Sequence, residues 1–386
     1  MSATALLAAS PALQQEQGYA DTLREIRQQP DTWLATADLL RTARVRDTLQ
    51  DALSARPAHV VLTGSGSSIY AGECLAPSLQ LSLGVPVQSI ASGTLLTHWS
   101  SVLPPDGGLL ISLARSGDSP ESCGVVSRLL ADAPAYRHLV ITCNAAGKLA
   151  TSYTDEPRVT VLTLDERTND RSLVMTSSFT NLVLAGSGLL PASDAAEQVT
   201  QRLAAAVRHV LDEQAEALAA VATMAFSNVV YLGSGGALGA AHESALKMLE
   251  MTNGAVVTVA ETYLGLRHGP MSSLDENSLV VGFLSSDPFV RAFETDLLDE
   301  LRRKGLGMAR VLVGHDIPRR LLSKGDVEVA LPALHGGPGV LPLLADVVVG
   351  QMLAFFRCLA LGGRPDAPSQ GVLTRVVENF PMHRQS

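Results

Sequence analysis

The chain has 386 residues, of which 46% are hydrophobic and 17% charged, so it is long enough to bury a sizeable core in two domains. A formal net charge of -9 without a basic run argues against nucleic-acid binding and against docking on an anionic membrane. We expect no secretory signal and no stretch of roughly 18 apolar residues that could span a membrane. The four scattered cysteines form no CxxC pair, which argues against zinc and disulfides and predicts a cytoplasmic protein.

The N-terminal region predicts helices rather than strands. Residues 1–18 are small and polar and predict a frayed start, whereas residues 19–54 carry apolar positions at helical spacing with a break near Pro30. We therefore predict an N-terminal helical extension over 1–54, a first domain over 55–194, a linking helix over 195–222, and a second domain with a C-terminal tail over 223–386.

Short apolar runs alternate with helical patterns along the rest of the chain. This alternation predicts parallel sheets with helices on both faces, an α/β sandwich of the flavodoxin or Rossmann type. The predicted strands of the first half are 59–63, 85–90, 109–113 and 138–143, and the predicted helices include 121–130 and 177–184.

The second half repeats the pattern of the first. Gly64 and Gly233 each follow a buried strand and lie 169 positions apart (233 − 64), and Asp118 and Asp287 share that offset (287 − 118). A third strand recurs at an offset of 171, from 140–142 to 311–313. Three elements in step predict an internal duplication, and hence two tandem domains.

A glycine-serine turn follows the first strand and opens a helix. Gly66 allows backbone N–H groups to approach a ligand, Ser67 and Ser68 offer hydroxyls, and the helix N-terminus adds a positive dipole end, which together suit a phosphate. Two alternatives are a plain tight turn and a dinucleotide site. The dinucleotide fingerprint lacks its third glycine and the acidic residue after the second strand.

A second polar turn, 115–122, follows the strand 109–113. Arg115, Ser116 and Ser119 next to a helix N-terminus describe another anion cradle, and ligands of open α/β sheets bind at the carboxyl ends of strands. The alternative is a capped helix start, with Asp118 or Ser119 as the cap, and both interpretations can hold together.

Two further patterns could supply acid-base chemistry. Glu243, Lys247 and Glu250 fall at i, i+4 and i+7 and share one helix face, which predicts a carboxylate base beside a lysine or, alternatively, a solvated salt-bridge stripe. His268 precedes Gly-Pro and so lies on a loop, where it could act as a general acid or base or could be incidental.

These motifs together resemble the sugar isomerase (SIS) family of phosphosugar isomerases over roughly residues 19–380. The run 25–30, Glu-Ile-Arg-Gln-Gln-Pro, is similar to the entry segment of enzymes with two SIS domains. The runs 115–122, 168–172 and 175–180 resemble signatures of the AgaS group, whose members are called tagatose-6-phosphate ketose/aldose isomerases or galactosamine-6-phosphate deaminases.

The resemblance implies an aldose-ketose isomerase or deaminase that acts on a hexose or hexosamine 6-phosphate without cofactor or metal. It implies that Glu250 moves the C2 proton, Lys247 steadies the developing charge, Glu243 orients Lys247, and His268 assists ring opening. It also implies a homodimer in which the neighbouring subunit supplies this histidine. The residues that it implies around the phosphate and sugar are Gly66, Ser67, Ser68, Arg115, Ser116, Ser119, Ser177 and Arg375.

Several alternatives stay open at this point. The related synthase that uses glutamine carries a lysine where this chain has Arg375. The sequence also shows no N-terminal catalytic cysteine and no glutaminase domain, so a synthase is disfavoured. A non-catalytic sugar-phosphate sensor would not need Glu250 and His268, and a single-SIS arabinose-phosphate isomerase conflicts with the duplication. Galactosamine or glucosamine 6-phosphate, and deamination or plain isomerisation, are not distinguished by these residues.

Overall fold

Two five-stranded parallel sheets form the framework of the protein. The computed structural model describes residues 2–191, 193, 195–334, 339–369, 371–377 and 380–383. The first sheet contains β1 (Val60–Thr63), β2 (Val87–Ser89), β3 (Gly108–Ala114), β4 (Tyr136–Thr142) and β5 (Val159–Thr163). The second contains β6 (Asn228–Leu232), β7 (Val257–Glu261), β8 (Ser278–Phe283), β9 (Ala309–Gly314) and β10 (Val327–Ala330).

Both sheets have the same strand order. The first runs β2-β1-β3-β4-β5, the second runs β7-β6-β8-β9-β10, and every pairing is parallel. The predicted α/β class and tandem arrangement are therefore confirmed. Strands β5, β7 and β10 were not predicted from the sequence. The limits of the predicted N-terminal extension, first domain, linking helix and second domain stay a prediction.

The helices cover both faces of each sheet. The N-terminal set is α1 (Ala3–Ala8), α2 (Pro11–Gln17), α3 (Ala20–Arg27), α4 (Gln29–Arg41) and α5 (Ala43–Ser54). The first half adds α6 (Ser67–Leu83), α7 (Ser92–Val102), α8 (Pro120–Asp132), α9 (Lys148–Thr151) and α10 (Ser177–Gly186). The remaining helices are α11 (Ala196–Glu213), α12 (Ala215–Ala222), α13 (Ala237–Met251), α14 (Pro288–Lys304) and α15 (Leu341–Ala360).

Two expectations about the helices were wrong. The start of the chain is helical rather than frayed, because Ser2 and Ser10 accept hydrogen bonds from the first turns of α1 and α2. The linking segment is two helices, α11 and α12, which are interrupted at Gln214.

One long apolar helix contradicts the expectation that no stretch of the chain has the length and composition of a membrane span. Helix α15 is by length and composition able to cross a membrane, but 83% of its most apolar window is buried inside the protein. It packs against α13 and α12 and contributes Phe355 and Phe356 to the main core. Burial of this kind is typical of the core helix of a soluble protein.

Helices α6 and α13 pack against each other where the two halves meet. Glu73 and His242 lie at equivalent positions (242 − 73 = 169) and are in direct contact, with 2.6 Å between Oε2 and Nδ1. Tyr70 and Gly239 are likewise equivalent (239 − 70 = 169), and a Cβ on Gly239 would lie 2.8 Å from the Tyr70 carbonyl oxygen. Contacts between equivalent residues place these helices on the pseudo-twofold axis of the duplication.

The segment that follows α15 returns to the first half of the chain. The Asp366 carboxylate accepts hydrogen bonds from the backbone nitrogens of Asp21 (3.2 Å) and Thr22 (2.7 Å), which are otherwise unpaired in the first turn of α3. The Thr22 hydroxyl also donates to Asp366 at 2.7 Å. The first half is therefore completed by residues from the far end of the chain.

Candidate active site

One face of α13 carries three ionisable side chains, Glu243, Lys247 and Glu250, here called the α13 triad. Lys247 lies between the two carboxyls: its Nζ is 3.4 Å from Glu243 Oε1 and donates a short hydrogen bond to Glu250 Oε2. The side chains of Glu243 and Lys247 are fully buried, and that of Glu250 is 26% exposed. The predicted shared face is therefore a buried cluster open to solvent at Glu250, not a solvated stripe.

The triad reaches across the interface between the two halves. Lys247 Nζ donates a hydrogen bond of 3.0 Å to the hydroxyl of Ser67, the first residue of α6. The close approach of α6 and α13 allows this contact, because Gly239 has no side chain to hold the helices apart. The glycine-serine turn of the first half and the acid-base face of the second half thus form one site.

Burial and mutual charge set the protonation of the triad. Burial raises the pKa of Glu243 to about 8; the Lys247 ammonium opposes this shift and the Glu250 carboxyl adds to it. Burial alone would lower the pKa of Lys247, but the charges of Glu243 and Glu250 outweigh it and raise the pKa. The site therefore holds a lysine that stays charged and an inner carboxyl that retains its proton near neutral pH.

The glycine-serine turn has the geometry of a tight backbone approach. Gly66 has φ +57, and a Cβ there would meet no atom within 4 Å, so the space beside it is open. Gly64 has no such space, because a Cβ would lie 2.3 Å from the Cβ of Ser68. The Ser68 hydroxyl is buried and points to Met175 Sδ at 3.9 Å, so Ser67 is the hydroxyl of the turn that faces the triad.

The guanidinium of Arg115 is hydrogen-bonded to backbone carbonyls. Its guanidinium donates to the carbonyls of Ser172 (3.2 Å), Leu173 (2.9 Å) and Arg375 (3.3 Å), and the side chain is buried. Burial lowers the pKa of Arg115, while the charge of Asp170 opposes this. Arg115 therefore fastens the loop at 172–173 and the C-terminal segment beside the site.

The polar turn that follows Arg115 is ordered by its own serines. The Ser116 hydroxyl accepts from the Asp118 backbone nitrogen at 3.2 Å, and Asn144 Nδ2 donates to the Ser116 carbonyl at 2.8 Å. The Ser119 hydroxyl lies 3.5 Å from that of Ser122 at the start of α8. Ser119 thus occupies the predicted N-cap position of α8, but its side chain makes no capping hydrogen bond to the helix backbone.

A buried carboxylate, Asp170, organises the start of α10. It accepts from the backbone nitrogens of Thr176 (2.8 Å) and Ser178 (2.9 Å), and the hydroxyl of Ser177 donates to it in a short hydrogen bond. Ser177 also accepts from Gln28 Nε2 at 2.9 Å. The fully buried Ser177 is thus held by the protein itself.

Glu25 closes this network from the N-terminal extension. Its carboxylate accepts from the Arg171 backbone nitrogen at 2.7 Å and from the Ser172 hydroxyl at 2.5 Å. Burial raises the pKa of Glu25 to about 7, and the nearby Asp170 charge adds to the shift. The three runs 25–30, 168–172 and 175–180 therefore form one buried network under the site. The sequence motifs indicate these runs, but they do not indicate the individual roles of Glu25, Gln28 and Asp170.

Arg375 and His268 lie at the exposed margins of the protein. Arg375 donates a short hydrogen bond to the side-chain oxygen of Asn169, which holds its exposed guanidinium on the loop that Arg115 also contacts. His268 ends a short 3₁₀ turn and is exposed. Within the described parts of the chain, no hydrogen bond or ion pair joins His268 to the triad.

A leucine-lined cavity does not contain this chemistry. It measures about 620 Å³, lies between α4, α5 and α11, and is lined by leucines such as Leu40, Leu49 and Leu53 rather than by triad residues. Among the residues that the structure describes, no group of three or more His, Cys, Asp and Glu side chains could hold a metal ion.

Comparison with known proteins places these features in context. An AgaS protein of Streptomyces coelicolor is 39% identical over 374 residues, covering 94% of this chain and 95% of that protein. The D-galactosamine-6-phosphate deaminase AgaS of Escherichia coli is 33% identical over 368 residues, covering 94% and 95%. The solved structure of tagatose-6-phosphate ketose/aldose isomerase from Escherichia coli has a TM-score of 0.84 at 30% identity, covering 95% and 98%. No family model matched the chain.

Proposed function

The chain belongs to the AgaS family of phosphosugar enzymes with two SIS domains, and on that premise we propose that it converts D-galactosamine 6-phosphate into tagatose 6-phosphate and ammonia. The observation that carries the proposal is the contact between Lys247 and Ser67. This contact brings the acid-base face of α13 next to the glycine-serine turn at the start of α6, so that one sugar phosphate can contact both.

The chemistry follows from the order of exposure within the triad. Glu250, the one member open to solvent, removes the proton from C2 of the open-chain aldose and returns it to C1 through an enolamine. The product is a ketimine, and water then replaces its nitrogen to give the ketose and ammonia. Lys247 stabilises the negative charge that develops on the substrate oxygen, and the buried Glu243 holds Lys247 in place.

The phosphate binds in the first half of the chain. We assign its direct contacts to the Gly66–Ser67 turn and to Ser116 and Ser119, which lie at the carboxyl ends of neighbouring strands and at helix N-termini. Remote binding of this kind fixes C2 against Glu250. Ser68, Ser177 and Arg115 support the cradle from behind, because their polar groups are directed at Met175, Asp170 and backbone carbonyls.

A second subunit completes the site in this proposal. His268 is exposed, as is Leu264 on the same loop, and within the described residues no hydrogen bond or ion pair joins His268 to the triad of its own chain. A homodimer that buries this loop would deliver the partner's His268 to assist ring opening. Arg375 serves only electrostatically, since a guanidinium does not form an imine.

The chain's four cysteines are free, which supports a cytoplasmic location.

The test of the reaction is ammonia release by the purified protein from galactosamine 6-phosphate beside glucosamine 6-phosphate. Ammonia from the galacto epimer is the expected result, and ammonia from the gluco epimer alone would reassign the substrate. If neither epimer releases ammonia while tagatose 6-phosphate is isomerised, the protein is a plain ketose/aldose isomerase.

A further inference from the structure

A second cavity, of about 160 Å³, lies at the carboxyl ends of β6, β8 and β9. Three of its lining residues are the duplicates of residues at the candidate active site. Ser234 corresponds to Ser65 (234 − 65 = 169), Ser285 to Ser116 (285 − 116 = 169), and His315 to Asn144 (315 − 144 = 171). The cavity is therefore the pseudo-twofold counterpart of the candidate active site.

The counterpart cavity lacks the acid-base face. Helix α6 contributes Cys74 and Ser78 to it, at the positions equivalent to Glu243 (243 − 74 = 169) and Lys247 (247 − 78 = 169). The equivalent of Glu250 is Leu81, which is 88% exposed. This cavity cannot perform the proton transfer proposed for the first site, so any role that it has is in binding.

A buried acid faces the cavity without a balancing charge. Asp346 of α15 lines it and is 6% exposed, and no hydrogen bond or ion pair to it occurs within the described ranges. Burial raises the pKa of Asp346 well above its ordinary range, and the nearby Glu294 adds to this effect. A buried carboxyl normally has a hydrogen-bonded or charged partner.

The neighbouring acid, Glu294, has partners at one of its two oxygens, Oε2, whereas Oε1 is buried without a hydrogen bond. Glu294 Oε2 accepts from the Ser285 backbone nitrogen at 2.9 Å and lies 3.7 Å from Arg291 Nε. The guanidinium of Arg291 also donates to the carbonyls of Ser285 (2.7 Å) and His315 (3.1 Å), so it is directed at the strand ends. Asp346 is thus the acid of the cavity without a hydrogen-bonded or charged partner among the described residues, and a cation bound beside it would favour its ionised form.

We propose that this counterpart cavity binds a small protonated amine, with Asp346 as its counter-ion and the hydroxyls of Ser78, Ser234 and Ser285 as further acceptors. No lysine or arginine lies among the described lining residues, so a phosphate would face Asp346 without compensation. The volume equals that of about five water molecules, which accommodates an ammonium ion or the amino end of an amino sugar.

The test is thermal unfolding of the full chain in ammonium chloride, potassium chloride and galactosamine hydrochloride at equal ionic strength. At ten times its Kd, ammonium should raise Tm by roughly 2 °C above the value in potassium chloride. The difference should disappear in Asp346→Asn, which keeps the side-chain shape but cannot carry a negative charge. A second variant, Ser78→Leu, fills the cavity from α6 and should abolish the shift as well.

Each outcome decides the proposal. A larger shift with galactosamine than with ammonium identifies the amino sugar as the ligand, and an equal or smaller one identifies ammonium. An equal response to potassium, a shift that persists in both variants, or no shift in the native protein overturns the proposal. The measurement needs no turnover, so its failure would leave the deaminase reaction untouched.

Discussion

Replacement of Glu243 by glutamine should remove a loss of stability that the native chain suffers as the pH rises. The Glu243 side chain is fully buried, and burial raises its pKa to about 8 from 4.5 in a free side chain. Between these two values the unfolded chain has lost the proton while the folded protein retains it. The native stability therefore falls by about 1.4 kcal/mol per pH unit in this window, whereas a glutamine does not titrate.

The expected change between pH 5 and pH 8 is roughly 3–4 kcal/mol in favour of Glu243→Gln. It is obtained from urea unfolding of both proteins at several pH values in this range. A matched control is Glu276→Gln, which makes the same substitution at an exposed position. A stability difference that stays constant from pH 5 to pH 8 would mean that Glu243 is ionised beside Lys247, and would refute the protonation argument.

Four other results are expected. Glu250→Gln should abolish exchange of the C2 proton with solvent while substrate still binds; exchange at the native rate would remove Glu250 as the base. Ser116→Ala should raise KM about 10- to 100-fold with little change in kcat, since a hydrogen bond to a charged group contributes about 1.5–3 kcal/mol. The control is Ser285→Ala, because Ser285 is the duplicate of Ser116 in the second half, and an equal rise in KM there would contradict the assignment. A mixture of inactive Glu250→Gln and His268→Ala proteins should regain about a quarter of the native activity, because half of randomly mixed dimers hold one intact site of two; no recovery would contradict a shared site. Gly239→Ala should lower the unfolding free energy by roughly 1–3 kcal/mol, because its Cβ would lie 2.7 Å from a backbone nitrogen of α6; an unchanged urea midpoint would argue against close helix packing there.

The duplication and the shared face of the α13 triad could be predicted because both depend only on the spacing of residues along the chain. The offset of 169 between the glycine turns requires only that two strands and two turns recur, and the structure gives both sheets the same order. Glu243, Lys247 and Glu250 share a face because of helical geometry alone. Their burial could not be predicted, since it depends on α6 and α15 packing on α13.

The roles of Arg115 and Ser68 could not be inferred from their motifs. An arginine in a hydroxyl-rich turn predicts an anion contact, but its hydrogen bonds go to the carbonyls of Ser172, Leu173 and Arg375, which carry no sequence signal. The contact of Ser68 with Met175 is equally long-range. Such contacts follow from the tertiary path of the chain, which local periodicity does not encode.

The bond between Asp366 and the start of α3 has a consequence for how the protein is made. Its two partners are 345 positions apart in the chain, so the first half cannot be completed when it leaves the ribosome. At about 5–20 residues per second, roughly 20–70 s pass between synthesis of Asp21 and of Asp366. During that interval the first turn of α3 lacks the carboxylate that later accepts its hydrogen bonds, and Arg115 lacks its contact with the Arg375 carbonyl.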